Sequence, residues 1–184
     1  MNILEPREYL TPGGIRVQHE KRLESYHNAS GPLCTALDEQ RGVLLTSSFE
    51  YPGRYTRWDI GFVNPPLEFI ARGRTVSLRA LNDRGRVLLA PIAQGLENLD
   101  ALQSIEADAD SIHAVVRDSD EWFAEELRSK QPTVFSVLRR IIELFADSEE
   151  RHLGFYGAFG YELAFQFEST QLKMPRIASD RDLV

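Results

Sequence analysis

With one cysteine, Cys34, among 184 residues, the chain can form no internal disulfide and build no cysteine-based zinc site. No segment approaches the roughly 18 unbroken apolar residues that a membrane helix needs. The opening "MNILEPREYLTPGG" puts charges and prolines where a signal peptide requires an apolar core. The expectation is a cytoplasmic protein with no membrane partner, and the "NAS" sequon at Asn28 is then a chance match. His19, His27, His113 and His152 have no histidine four residues away and no neighbouring cysteine pair, so they lack metal-ligand spacing. No G-x-S-x-G elbow singles out a serine nucleophile. Gly154, Gly157 and Gly160 run G-x-x-G-x-x-G, which differs from the dinucleotide fingerprint in its first spacing and is followed by no suitably placed acidic residue. Three glycines in an expected strand mark instead a close approach by another backbone or a ligand.

The composition, 42% hydrophobic, 27% charged and 10% aromatic, is that of a globular protein. A chain of this length buries roughly 70% of its extended surface, enough for a core without staples. The net charge of −7 is concentrated: between Glu97 and Lys130 ten acidic residues face only Arg117, Arg128 and Lys130. These carboxylates lack the glycine-punctuated spacing of a calcium loop, so the segment reads as a solvated face. Arg72, Arg74, Arg79, Arg84 and Arg86 fall on expected hairpin strands. In an acidic chain with no aromatic platform they do not make a nucleic-acid surface.

The pattern along the chain is α+β, a large mostly antiparallel sheet with packed helices. "GGIRVQHEKRLES" alternates as a strand, "GPLCTALDEQRG" reads as a short helix closed by Gly42, and "GVLLTSS" as a buried strand. "TRWDIGFVN", "LEFIARG" and "RTVSLRAL", then a turn at "NDRG" and "RVLLAPI", read as an antiparallel meander. "ENLDALQSI" is expected to be helical and "SIHAVVRD" extended. After Pro132, the residues Val134, Val137, Leu138, Ile141, Ile142 and Phe145 form one apolar stripe of an amphipathic helix that must lie on a sheet. "LGFYGAFGYELAFQFE" reads as a strand leading towards a helix, and no repeat or low-complexity tract interrupts the chain.

The most site-like stretch is "GVLLTSSFEYPGRYTRWDIG", residues 42–61, where an apolar run ends in hydroxyls and is followed by a turn carrying Arg54 and Arg57. With "TPGGIRV" before it, "GFYGAFGYELAFQFE" downstream and "DRDLV" at 180–184, the sequence resembles the N-terminal half of anthranilate synthase component I. The likeness is greatest to the bacterial form fused to its glutamine amidotransferase. It covers essentially all 184 residues and is most specific in "LLTSSFEYPGRYTRW" and "GAFGYE".

The resemblance implies the N-terminal portion of the chorismate-utilising fold, with residues 1–184 forming a single regulatory-type domain and the catalytic half absent. The family converts chorismate and glutamine or ammonia into anthranilate and pyruvate, and tryptophan inhibits it. It implies a tryptophan site at Leu45, Thr46, Ser47, Arg54, Tyr55 and Thr56. Leu44, Leu45, Thr46 and Ser47 match the family's L-L-E-S element, with Thr46 replacing glutamate. Arg54, Tyr55 and Thr56 match its R-Y-S element, with threonine for serine and a gap two residues shorter. Thr46 offers the tryptophan ammonium a hydroxyl where glutamate would form an ion pair. Ser47 and Thr46 would meet the amino-acid headgroup, an arginine such as Arg54 its carboxylate, and Tyr55 or an adjacent apolar residue would wall the indole. The implied partners are L-tryptophan, the chorismate-binding C-terminal half and the glutamine amidotransferase. No cofactor is expected in this chain; Mg²⁺ is expected in the missing half, and no catalysis from these residues alone. The alternatives are the front end of a related chorismate-amination enzyme, such as one feeding phenazine synthesis, and a standalone amino-acid-binding module.

Overall fold

The computed structural model describes residues 2, 3, 6–23, 30–46, 59–118, 130–147, 150, 152–167, 173, 176, 177 and 181–184. The strands and helices run β1 (Asn2–Ile3), β2 (Arg7–Leu10), β3 (Arg16–His19), β4 (Arg22–Leu23), α1 (Ser30–Glu39), β5 (Gly42–Thr46), β6 (Asp59–Val63), β7 (Leu67–Arg72) and β8 (Thr75–Ala80), then α2 (Asp83–Leu96), β9 (Leu102–Ala107), β10 (Ser111–Val116) and α3 (Val134–Phe145). A 3-10 turn at Tyr161–Gln166 follows. They group into two compact units, residues 1–8 with 18–65 and residues 9–17 with 66–184.

In the first unit, β1 pairs with β4 and β5 with β6, both antiparallel. Helix α1 rests on the β5–β6 hairpin at two glycines. A Cβ on Gly42 would meet the Leu37 side chain at 2.7 Å, and one on Gly61 would collide with Leu33. Leu33 and Leu37 are one helical turn apart, so one face of α1 lies on the ribbon where side chains are missing. Gly42, expected to close the helix, therefore opens the strand beneath it. The strand is also less buried than expected: Leu45 and Thr46 at its exit are exposed.

The second unit holds an antiparallel sheet in the order β7–β8–β10–β9. Its buried face, with Phe69, Ala71, Val76, Leu78, Ile112, Ala114 and Val116, shares one core with Leu89, Ile92 and Leu96 of α2 and with Val134, Val137, Leu138, Ile141 and Leu144 of α3. The α+β class is present, helices with antiparallel sheets. The expected single large sheet is not: four strands make the largest sheet among the described residues, and the rest pair in two-stranded pieces.

Three segments differ from their sequence reading. "NDRG" does not turn a hairpin, because the Asn82 side chain accepts the Gly85 N–H at 3.2 Å and starts α2, which takes "RVLLAPI" out of the expected meander. Arg84 and Arg86 consequently lie on a helix. "ENLDALQSI" is not a helix; its second half is edge strand β9. In α3 the stripe is displaced slightly, with Leu144 buried in place of Ile142, which is 43% exposed.

"LGFYGAFGYELAFQFE" also forms no regular strand, but it lengthens the sheet. Beyond β7, the Ala71 N–H donates to the Leu183 carbonyl at 2.9 Å and the Asp182 N–H to the Ala71 carbonyl at 2.8 Å. On the far side of that segment, Ala158 and Val184 exchange hydrogen bonds of 2.7 and 3.2 Å, and the Gly160 N–H donates to the Asp182 carbonyl at 2.6 Å. A Cβ on Gly157 would land on the Val184 carbonyl oxygen, so glycine is what lets the two segments close. The Asp182 carboxylate, on a residue 1% exposed, accepts the Gly73 N–H at 2.5 Å and pairs with Arg176. Gly73 turns from β7 to β8 at φ +53°.

Candidate functional site

Of the expected tryptophan-site residues, Leu45 and Thr46 are described, and Ser47, Arg54, Tyr55 and Thr56 lie outside the described residues. The register of the hairpin sets Leu45 opposite Ile60 and Thr46 opposite Asp59. Side chains alternate along a strand, so Thr46 shares the α1-facing side with Gly42 and Gly61, while Leu45 points to the other face with Ile60. The two therefore cannot line one side of the ribbon together. The register partner of Thr46, Asp59, is not among the residues expected from the sequence. It is exposed and directly across from Thr46, so the ribbon carries a carboxylate beside the hydroxyl. Only the pairing of β5 with β6 brings it there; in sequence it is thirteen positions away.

One serine–histidine–carboxylate arrangement occurs at the β9–β10 turn. Ser111 Oγ lies 3.0 Å from Asp108 Oδ2 and 3.2 Å from His113 Nε2. The serine has one proton, and it goes to the carboxylate, so Nε2 of His113 must be the protonated nitrogen and donate to Oγ. The histidine cannot act as base towards that serine, and the order of groups is wrong for a triad. The Asp110 N–H and the Ser111 hydroxyl and N–H hold the Asp108 carboxyl below the ordinary aspartate range. This is a capped turn.

The arginine cluster is internally engaged. Arg74 donates to the carbonyls of Arg117 and Pro132, both at 2.9 Å, and meets Asp118. Arg79 pairs with Glu68 at 2.8 Å, and Arg86 with Asp83 and Asp110, both at 2.6 Å. The two carboxylates raise the Arg86 guanidinium above its ordinary value, Asp110 foremost. Among the described residues no group of three or more His, Cys, Asp or Glu side chains is placed to hold a metal ion. No described helix is long and apolar enough to cross a membrane.

Over 183 residues, 100% of this chain, the sequence is 43% identical to a protein of Azospirillum brasilense named anthranilate synthase, of which it covers 25%. The chain matches the N-terminal part of anthranilate synthase. A second relative, the pyocyanine-specific anthranilate synthase component 1 of Pseudomonas aeruginosa, is 30% identical over 125 residues, 68% of this chain and 23% of that protein. The chain thus spans about a quarter of the length of the curated relatives it matches. No protein-family model matches it. Against this anthranilate synthase likeness, the β5–β6 hairpin is the described part of the expected effector site, with Thr46 and Asp59 side by side at the end that residues 47–58 connect.

Proposed function

We propose that residues 1–184 act as the tryptophan-sensing N-terminal part of an anthranilate synthase, the enzyme that makes anthranilate and pyruvate from chorismate and glutamine or ammonia. The observation that carries this reading is the 43% identity running along the whole chain. In this part, the residues prepare an amino-acid headgroup site and perform no chemistry. Ser47 and Thr46 offer hydroxyls, Arg54 meets the carboxylate and Tyr55 the indole. Asp59, across from Thr46, supplies the anionic partner for the ammonium that Thr46 itself lacks. Chorismate, its Mg²⁺ and the amidotransferase belong, on the same reading, to the remainder of the longer polypeptide or its complex.

The test is anthranilate formation by the polypeptide that carries these residues, purified from its source cells and titrated with tryptophan. Ser47→Ala and Asp59→Asn should each raise the half-inhibitory tryptophan concentration about tenfold, roughly 1.4 kcal/mol, each measured against that variant's own uninhibited rate. Inhibition unchanged in both variants overturns the effector site. Failure to form anthranilate from chorismate overturns the enzyme reading. The pyocyanine-specific relative favours a second reading, the front end of a chorismate-amination enzyme of phenazine synthesis. Under that reading tryptophan leaves the rate of the unaltered enzyme unchanged.

A further inference from the structure

Among the described residues Asn64 is the one non-glycine residue in the left-handed region, at φ +53°. It stands directly after β6, the strand that begins with Asp59, and is followed by Pro65 and Pro66. A side chain resists that conformation, and a proline next in line narrows it further. A backbone hydrogen bond holds it, the Asn64 N–H donating to the Arg41 carbonyl at 2.7 Å, one residue before β5. Each proline fixes its own φ, and Pro66 restricts Pro65 in turn, so the pair forms a semi-rigid spacer. Beyond them the chain is pinned again. The Pro66 carbonyl accepts the Leu81 N–H at 2.9 Å, and a Cβ on Gly85, in the first turn of α2, would land on the same oxygen. Gly85 has no left-handed φ to explain it, so glycine there serves this close approach.

The bond between Pro65 and Pro66 is also where the chain passes from the first unit to the second. The other two crossings, after Glu8 and after Val17, lie much farther from Asp59 along the chain. We infer that Asn64–Pro65–Pro66 is a strut that carries the state of the β5–β6 effector site into the second unit. The inference rests on the proposed reading of that ribbon as a tryptophan site, and it names the segment through which occupancy of the site acts. Tryptophan held at Asp59 restrains one end of β6. The other end runs into three residues with little torsional freedom, so a displacement of the strand is passed on, where a flexible linker would absorb it. It arrives in two places. One is the first turn of α2, where the Pro66 carbonyl lies against Gly85. The other is β7, which starts at Leu67 and holds the 181–184 segment through Ala71.

The experiment uses the polypeptide that carries residues 1–184, produced in its source cells, and changes Pro65→Gly together with Pro66→Gly to free both φ angles. Tryptophan binding is measured by calorimetry, and anthranilate formation with and without saturating tryptophan. Where saturating tryptophan slows the unaltered polypeptide about tenfold or more, it should slow the variant less than about twofold. The variant's dissociation constant for tryptophan should stay within about threefold of the unaltered value, and its uninhibited rate within about twofold. Pro65→Gly alone is read in the same way should the double change lower the uninhibited rate. Full inhibition in a variant that binds tryptophan overturns the strut. So does a loss of binding that matches the loss of inhibition, because the prolines then shape the site itself. An unaltered polypeptide that forms anthranilate equally fast with and without tryptophan gives a different result: it removes the effector reading, and the strut with it.

Discussion

Asp108 shows how a single exposed residue is tuned by backbone geometry. Its Oδ1 accepts the N–H groups of Asp110 and Ser111 at 2.8 and 2.7 Å, and its Oδ2 the Ser111 hydroxyl at 3.0 Å. Hydrogen bonds to the ionised form favour it, so the folded-state pKa lies below the unfolded one. The stabilisation is then fully present above the unfolded value, about 3.9, and disappears as the pH falls through the folded value. A carboxyl-carbon NMR titration should place the Asp108 midpoint below the ordinary aspartate value, and Asp108→Asn should remove the corresponding acid step in the shifts of the Asp110 and Ser111 amides. A midpoint at or above the ordinary value would show that the turn does not prefer the carboxylate. Thr46 and Asp59 make the parallel point for the effector reading, since neither residue is distinctive until the ribbon sets them side by side.

Helix α2 is where an element depends on one cap. Asn82→Ala removes the acceptor for the Gly85 N–H and should destabilise the second unit by about 1 kcal/mol, read as a lower urea midpoint at unchanged slope. An unchanged midpoint would mean that water replaces the cap without cost. The same cap explains why this element was illegible as a helix. "NDRG" followed by an apolar run imitates a hairpin, and Pro91 argues against a helix. Pro91 is tolerated because the carbonyl it leaves without a donor belongs to Val87, a residue 74% exposed and open to water. In β9 the imitation ran the other way: Leu102 and Ile105 are the half-buried positions, and their three-residue spacing looks helical. By contrast α3, β7, β8 and β10 were legible, because a long apolar stripe or strict alternation leaves one burial solution. The β5–β6 hairpin was legible as strands, and its stretch as site-like, but the pairing of Thr46 with Asp59 was not. Twelve residues separate β5 from β6 along the chain, and register across such a separation is invisible in the sequence.

At the scale of the molecule, the second unit's sheet is carried outward by a buried carboxylate. Asp182 fastens the 181–184 segment to the β7–β8 turn through Gly73 and also pairs with Arg176, and that segment in turn holds Ala158 and Gly160. Asp182→Ala leaves the Gly73 N–H without its acceptor and Arg176 without this partner. Breaking a buried pair costs about 3–5 kcal/mol, but the Arg176 side chain is 22% exposed, so about 2–3 kcal/mol is the expected local loss. The loss should be confined to the strands that hang from the clasp. Amides of Ala71, Ala158 and Gly160 should exchange about 30- to 150-fold faster, while amides of Val137 and Ile141 in the α3 core change little. If the α3 amides accelerate equally, the clasp holds the whole unit together. If the first three amides do not change, Asp182 is dispensable, and the outer edge at Phe159 is held by its aromatic stack on Phe135.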